Sequence, residues 1–250
     1  MIPTMATREP ISITTPDGTA RGWVHRDGGD ARAGVVLYAD AFGVRPTMHD
    51  MCDRLAGLGY AVLLPDVYYR AGEVAPFDPL TAFSTPPERE RLMGLMQTLT
   101  PERIAADSAA YVAALATRSD VRPDRIGCTG YCMGGRLSYL TAAFNGERVR
   151  AAASFHGGGL VTDAPNSPHR LADRVTASLY FGVADNDRGC TPEQQGALAA
   201  ALGAAHVWYR MELYVGKLHG FALNDHSVYD RDAAETHWKR LEALFAETLA

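Results

Sequence analysis

IGCTGYCMGGRLSYLTAA, residues Ile126 to Ala143, is the stretch on which the reading of this chain turns. A short segment of β-branched and small residues runs through Gly130-Tyr131-Cys132-Met133-Gly134-Gly135 into an apolar segment with helical spacing. Strand, tight glycine turn and helix form the setting of a nucleophile elbow, with Cys132 where the GxSxG pattern carries serine. Glycines two before and two after the apex let the backbone turn sharply and let helix and strand approach, because a Cβ there would clash. A five-residue pattern also fits a buried cysteine acting as a small hydrophobe, so the flanking chain has to decide.

Working outward, Ala33–Ala39, Tyr60–Leu64, Ala151–Phe155, Ala177–Val183 and Val207–Tyr214 read as further strands, the first four as apolar runs of the kind buried on both faces. Helical spacing marks Pro46–Leu58, Glu88–Leu99, Pro101–Arg118, Thr191–Leu202 and Val228–Leu249, with Thr100-Pro101 and Thr191-Pro192 as cap and first turn. Ile11 to His25, folded about Pro16-Asp17-Gly18, reads as an opening antiparallel hairpin. Arg70 to Pro87, rich in proline, glycine and aromatics, reads as a long surface loop of the kind that is usually functional. Strands alternating with helices predict one α/β domain over residues 1–250, a mostly parallel sheet wrapped on both faces with the hairpin at its edge.

Composition narrows the function classes. The 250 residues carry a formal net charge of -5 with the two signs interspersed, so there is no basic stripe for nucleic acid and no polybasic membrane patch. No apolar run reaches membrane-span length, and the opening MIPTMATREPISITTPDG lacks the regions of an export signal, so a cytoplasmic protein is expected. Four cysteines are too sparse for a disulfide framework and lack zinc-site spacing, which predicts free thiols, no metal and no cofactor.

In open α/β sheets ligands bind beyond the carboxyl ends of the strands, and Asp40, Cys132, His156, Asp185 and His219 all follow predicted strands. A cysteine nucleophile needs an imidazole to take its proton and a carboxylate on the far ring nitrogen to hold the tautomer. Cys132, Asp185 and His219 occur in the order nucleophile, acid, histidine that an α/β-hydrolase uses. Asp187, in the same Asp-Asn-Asp cluster, is chemically equivalent, and Asp185 is favoured for its place at the strand end. The amides of Ala41 and Met133 are the candidate oxyanion donors, and Asp40 beside them could accept the thiol proton or cap the next helix. His156-Gly-Gly-Gly159 matches the lipase oxyanion motif but follows the nucleophile, so it reads as a loop near the site with His156 lining the pocket.

With these residues assembled, the chain resembles the dienelactone hydrolase family of α/β-hydrolases. The likeness rests on DAFG (Asp40 to Gly43), PDVY (Pro65 to Tyr68), GYCMGG (Gly130 to Gly135), Asp185 and HGF (His219 to Phe221), and extends from about Ala33 to the C-terminus. It implies an eight-stranded sheet and hydrolysis of esters or lactones by Cys132, Asp185 and His219 through an acyl-thioester, in a monomer or homodimer acting on small molecules. It also implies a glutamate before the first oxyanion donor that helps ionise the thiol, where this chain has Asp40. The family's carboxylate-anchoring arginine four residues after the histidine is Leu223 here, while Arg89 and Arg91 fall roughly where the other anchor lies. An uncharged or differently placed ester, lactone or thioester is therefore expected rather than dienelactone itself. Two rivals remain: a thiol sensor in which Cys132 is oxidised with Cys128 resolving, and a binding module that kept the elbow.

Overall fold

A computed structural model describes residues 6–28 and 32–250. Residues 1–5, part of the stretch read for an export signal, lie outside the described residues. The eight strands are β1 (Thr7–Thr15), β2 (Gly18–Arg26), β3 (Arg32–Tyr38), β4 (Ala61–Pro65), β5 (Val121–Tyr131), β6 (Ala151–Phe155), β7 (Ser178–Ala184) and β8 (Tyr209–Tyr214). They form one sheet in the order β1-β2-β4-β3-β5-β6-β7-β8. The expected hairpin is the antiparallel edge, Thr15 pairing with Gly18 across the Pro16-Asp17 turn, and β2 also runs antiparallel to β4. All pairings from β4 to β8 are parallel.

The apolar runs bury both faces because successive side chains point to opposite sides. Val36 and Tyr38 join the cluster beneath helices α3 (Pro101–Ala116) and α4 (Met133–Asn145), while Val35 and Leu37 join the one beneath α1 (Pro46–Gly57) and α6 (Arg231–Leu249). Helix α5 (Pro192–Ala204) covers the first face near β7, and its Thr191 cap closes a reciprocal box with Gln194. Helix α6 starts at Arg231, three residues later than its periodicity suggests, because Asp230 accepts the Ala233 amide at 2.9 Å and caps it there.

Residues 70–87 are less superficial than their composition suggests. Phe77 and Ala82 are buried, and the segment leads into α2 (Pro86–Gln97). At the opposite face, Phe245 and Leu249 of α6 press against Gly127 of β5, where a Cβ would lie 2.9 Å from the Leu249 side chain. The strand that carries the elbow is thus finished by the last turns of the C-terminal helix.

Among the described residues, no helix is long and apolar enough to cross a membrane.

Candidate active site

Cys132 stands between the last residue of β5 and the first of α4 with φ of 55°, a left-handed conformation unusual for a residue with a side chain. Its surroundings hold it there. Its amide donates to the Phe155 carbonyl at 3.0 Å, and its own carbonyl accepts from Gly135 at 3.1 Å. A Cβ on Gly130 would sit 2.1 Å from the Gly134 carbonyl oxygen, and one on Gly134 would sit 2.4 Å from the carbonyl oxygens of both Tyr38 and Ala39. Only glycine lets α4 start this close to β3 and β5, and that closeness leaves the Cys132 side chain partly exposed at the sheet's carboxyl end.

His219, in the loop after β8, has Cys132 on one side, close enough for the sulfur's charge to act on the ring. On the other, its Nδ1 lies 2.7 Å from Oδ2 of Asp187. Burial pushes the imidazole down, but the charge on Cys132 and the hydrogen bond and charge of Asp187 outweigh it, raising His219 to about 11. Because a carboxylate only accepts, Nδ1 carries the hydrogen and Nε2 is left to face the sulfur. Asp187 is buried, and its other oxygen accepts the Gly189 amide at 2.7 Å.

The partner of His219 corrects the expectation for Asp185. Asp185 is turned away, its Oδ2 accepting the Gly216 amide at 2.8 Å and its own amide donating to the Lys217 carbonyl at 2.9 Å. That pair of bonds ties the end of β7 to the turn after β8. The chain needs two further residues to come level with the histidine.

Asp40 is also placed differently from the thiol-activating expectation. Its side chain is 1% exposed and is held by Arg45 at 2.6 and 3.0 Å, by His226 Nε2 at 2.9 Å and by the Phe42 amide at 3.1 Å. Both oxygens are thus engaged by other groups. Beside it, Ala41 and Met133 meet at Tyr68, whose hydroxyl donates to the Ala41 carbonyl at 2.9 Å and lies 3.2 Å from the Met133 sulfur. The Ala41 amide donates to no acceptor among the described residues.

His156 lies behind the site. Fully buried with φ of 38°, it stands edge-on to His219 at 5.1 Å between ring centroids and to Phe221 at 5.4 Å. Burial keeps its imidazole well below the ordinary range, so it packs as a neutral aromatic wall. Leu223 is core rather than pocket, fully buried in the cluster with Phe221 and Trp238. Arg91 is committed to its own loop, 2.6 Å from Glu88, bonded to the Ala75 carbonyl and stacked 3.6 Å from the Phe77 ring centre. Arg89 is exposed on α2 beside Phe83 and Met93.

One residue that the sequence reading passed over is Arg136. It is in the first turn of α4, four residues after Cys132, a nearness in sequence that could have drawn notice. Among the described residues no carboxylate lies within ion-pair distance, and its buried Nε has no partner. Burial lowers its pKa, partly offset by the charges of Cys132 and Tyr68 nearby.

Comparison with known proteins identifies the family. The dienelactone hydrolase family profile matches residues 22–249. A provisionally named carboxymethylenebutenolidase of Synechocystis sp. is 29% identical over 220 residues, covering 86% of each chain. A protein of the same provisional name from Escherichia coli K12 is 27% identical over 216 residues, 85% of this chain and 76% of that one. Among solved structures, a provisionally named dienelactone hydrolase from Klebsiella pneumoniae superposes with a TM-score of 0.83 at 22% identity, over 96% of this chain and 98% of the other. A dienelactone hydrolase-like promiscuous phosphotriesterase from metagenomic libraries gives 0.81 at 23% identity, over 98% and 100%. At those identities the structural likeness speaks for the fold alone.

Proposed function

The chain belongs to the dienelactone hydrolase family and is a hydrolase of α/β-hydrolase fold, and from that premise we propose that it cleaves carboxylic esters or lactones by covalent catalysis at Cys132. The observation that carries the proposal is the series Cys132, His219, Asp187, with the imidazole bonded to Asp187 at 2.7 Å and its pKa raised by the charges of Cys132 and Asp187 on its two sides.

In this reading the sulfur attacks the substrate carbonyl as thiolate while His219 holds the proton. The carbonyl oxygen becomes an oxyanion, received by the amides of Ala41 and Met133. Collapse expels the alcohol, which takes the proton from His219, and leaves an acyl-thioester. Water then attacks with His219 as base, releasing the acid and restoring the pair. Asp187 keeps the ring oriented and stabilises imidazolium, as a buried carboxylate on the far nitrogen does.

Substrate preference follows from charge. With Leu223 in the core and Arg91 bonded within its own segment, the guanidinium close enough to feel Cys132 and without a carboxylate partner among the described residues is Arg136, so the chain accepts a negative group on the substrate in a place of its own. A thiol-sensor role is disfavoured because Cys128 is fully buried, bonded to the Ser138 carbonyl and pushed by burial up to about 12.

Turnover of p-nitrophenyl acetate that vanishes in Cys132→Ala and His219→Ala is the expected result. Turnover that survives Cys132→Ala would refute it.

A further inference from the structure

Asp40 and three side chains linked to it, Arg45, Asp225 and His226, join two loops that supply different parts of the proposed machinery. Asp40 and Arg45 belong to the loop between β3 and α1, which carries Ala41; Asp225 and His226 belong to the segment after β8, which carries His219. Arg45 spans them, holding Asp40 through both terminal nitrogens and Asp225 at 2.6 and 3.1 Å, and also reaching the Gly43 carbonyl at 3.2 Å. His226 closes the ring by bonding Asp40 at 2.9 Å, and stands against Phe42 at 5.5 Å. Gly220, next to His219, fits against the His226 ring so tightly that a Cβ would come within 2.7 Å of Nδ1. A continuous chain of contact therefore runs from His219 through Gly220, His226 and Asp40 to the amide beside Ala41.

We propose that Asp40, Arg45, Asp225 and His226 are positioning residues that set the Ala41 amide relative to His219, and that Asp40 takes no proton from the thiol. This rests on the hydrolase reading, because an oxyanion donor has a role only if a tetrahedral intermediate forms. The physical reason is geometric. A donor stabilises an oxyanion only when aimed at a fixed point, and the loop that carries Ala41 lies beyond the strand ladder, while the segment that carries His219 is tied to the end of β7 at Gly216 and Lys217. A buried guanidinium between two carboxylates, with an imidazole on the free edge, supplies directional bonds in place of a ladder.

Two reactions at Cys132 separate this role from general support of the fold. Alkylation by iodoacetamide needs the thiolate and His219 but forms no oxyanion; turnover of p-nitrophenyl acetate needs both. In Asp40→Asn and in His226→Leu, kcat should fall by about 10- to 100-fold, short of losing a donor outright, with KM within about threefold. The alkylation rate and its pH profile should match wild type, and His226→Gln, which can still donate to Asp40, should recover most of kcat. A shifted alkylation profile in Asp40→Asn would overturn the proposal by making the carboxylate a partner of the thiol. Equal losses in both reactions, or an unchanged kcat, would overturn it as well. Wild-type turnover that requires Cys132 secures the hydrolase reading first, so the Asp40 and His226 variants then judge the clamp alone.

Discussion

Nδ1 of His219 meets Oδ2 of Asp187 at 2.7 Å, while Asp185, two residues earlier, bonds the Gly216 amide instead. Asp187→Asn should therefore lower kcat on p-nitrophenyl acetate by about 10²- to 10⁴-fold, since the amide can hold the wrong tautomer. Asp185→Asn should cost less than about threefold, because it removes a turn contact outside the proposed chemistry. Steady-state kinetics on the two variants decide the matter, and the reverse ranking would restore Asp185.

The unpaired Arg136 predicts a charge preference. Arg136→Met should reduce kcat/KM for the hemisuccinate ester of p-nitrophenol by at least about tenfold, the scale of a lost charge-assisted hydrogen bond, and that for the acetate by no more than about threefold. Equal effects on the two esters would show that the guanidinium serves the thiolate or the fold and not the substrate.

Two glycines should respond oppositely to alanine. Gly134→Ala drives a methyl to 2.4 Å from two backbone oxygens and should destabilise by about 3 kcal/mol or more, read as a lower urea midpoint at unchanged slope. Gly196→Ala, exposed in α5 with nothing within 4 Å, should stabilise by up to about 1 kcal/mol. A tolerated Gly134→Ala would mean that the elbow is looser than described.

Acid sensitivity should come partly from His237. Its Nδ1 lies 2.6 Å from the Ala234 carbonyl and its Nε2 3.0 Å from the Tyr131 hydroxyl, and burial pulls its pKa down to about 3. The carbonyl fixes the hydrogen on Nδ1, leaving Nε2 to accept from Tyr131. The unfolded chain takes up this proton first, near the ordinary value of about 6.5. The resulting stability is complete above that pH and lost as pH falls toward about 3, at up to about 1.4 kcal/mol per pH unit. His237→Phe should have a lower Tm at pH 7.5 but a shallower fall between about pH 6.5 and 4.5. Parallel Tm curves would assign the acid limb to other groups.

The elbow was legible because its constraints are local: two glycines and an apex residue, read between a strand-like and a helix-like segment, predict the turn, and strand periodicity locates the sheet's carboxyl end. Side-chain direction beyond a strand end is not local. Asp185 and Asp187 are indistinguishable by residue type, and the choice is made by Gly216 and His219, which belong to distant parts of the chain. Asp40 illustrates the same limit, since Arg45 is near in sequence but Asp225 and His226 are not. Leu223 reads as an absent pocket arginine only until the segment is seen to turn inward, and Phe77 in a proline-rich loop gives no periodic sign of being buried.

The contact of Phe245 and Leu249 with Gly127 has a bearing on biosynthesis. During translation β5 and Cys132 leave the ribosome long before α6 exists to seal the strand's underside, so a nascent chain can hold every proposed catalytic group while its central strand is still open on one face. Completion of the nucleophile's support thus becomes one of the last events in the maturation of the domain.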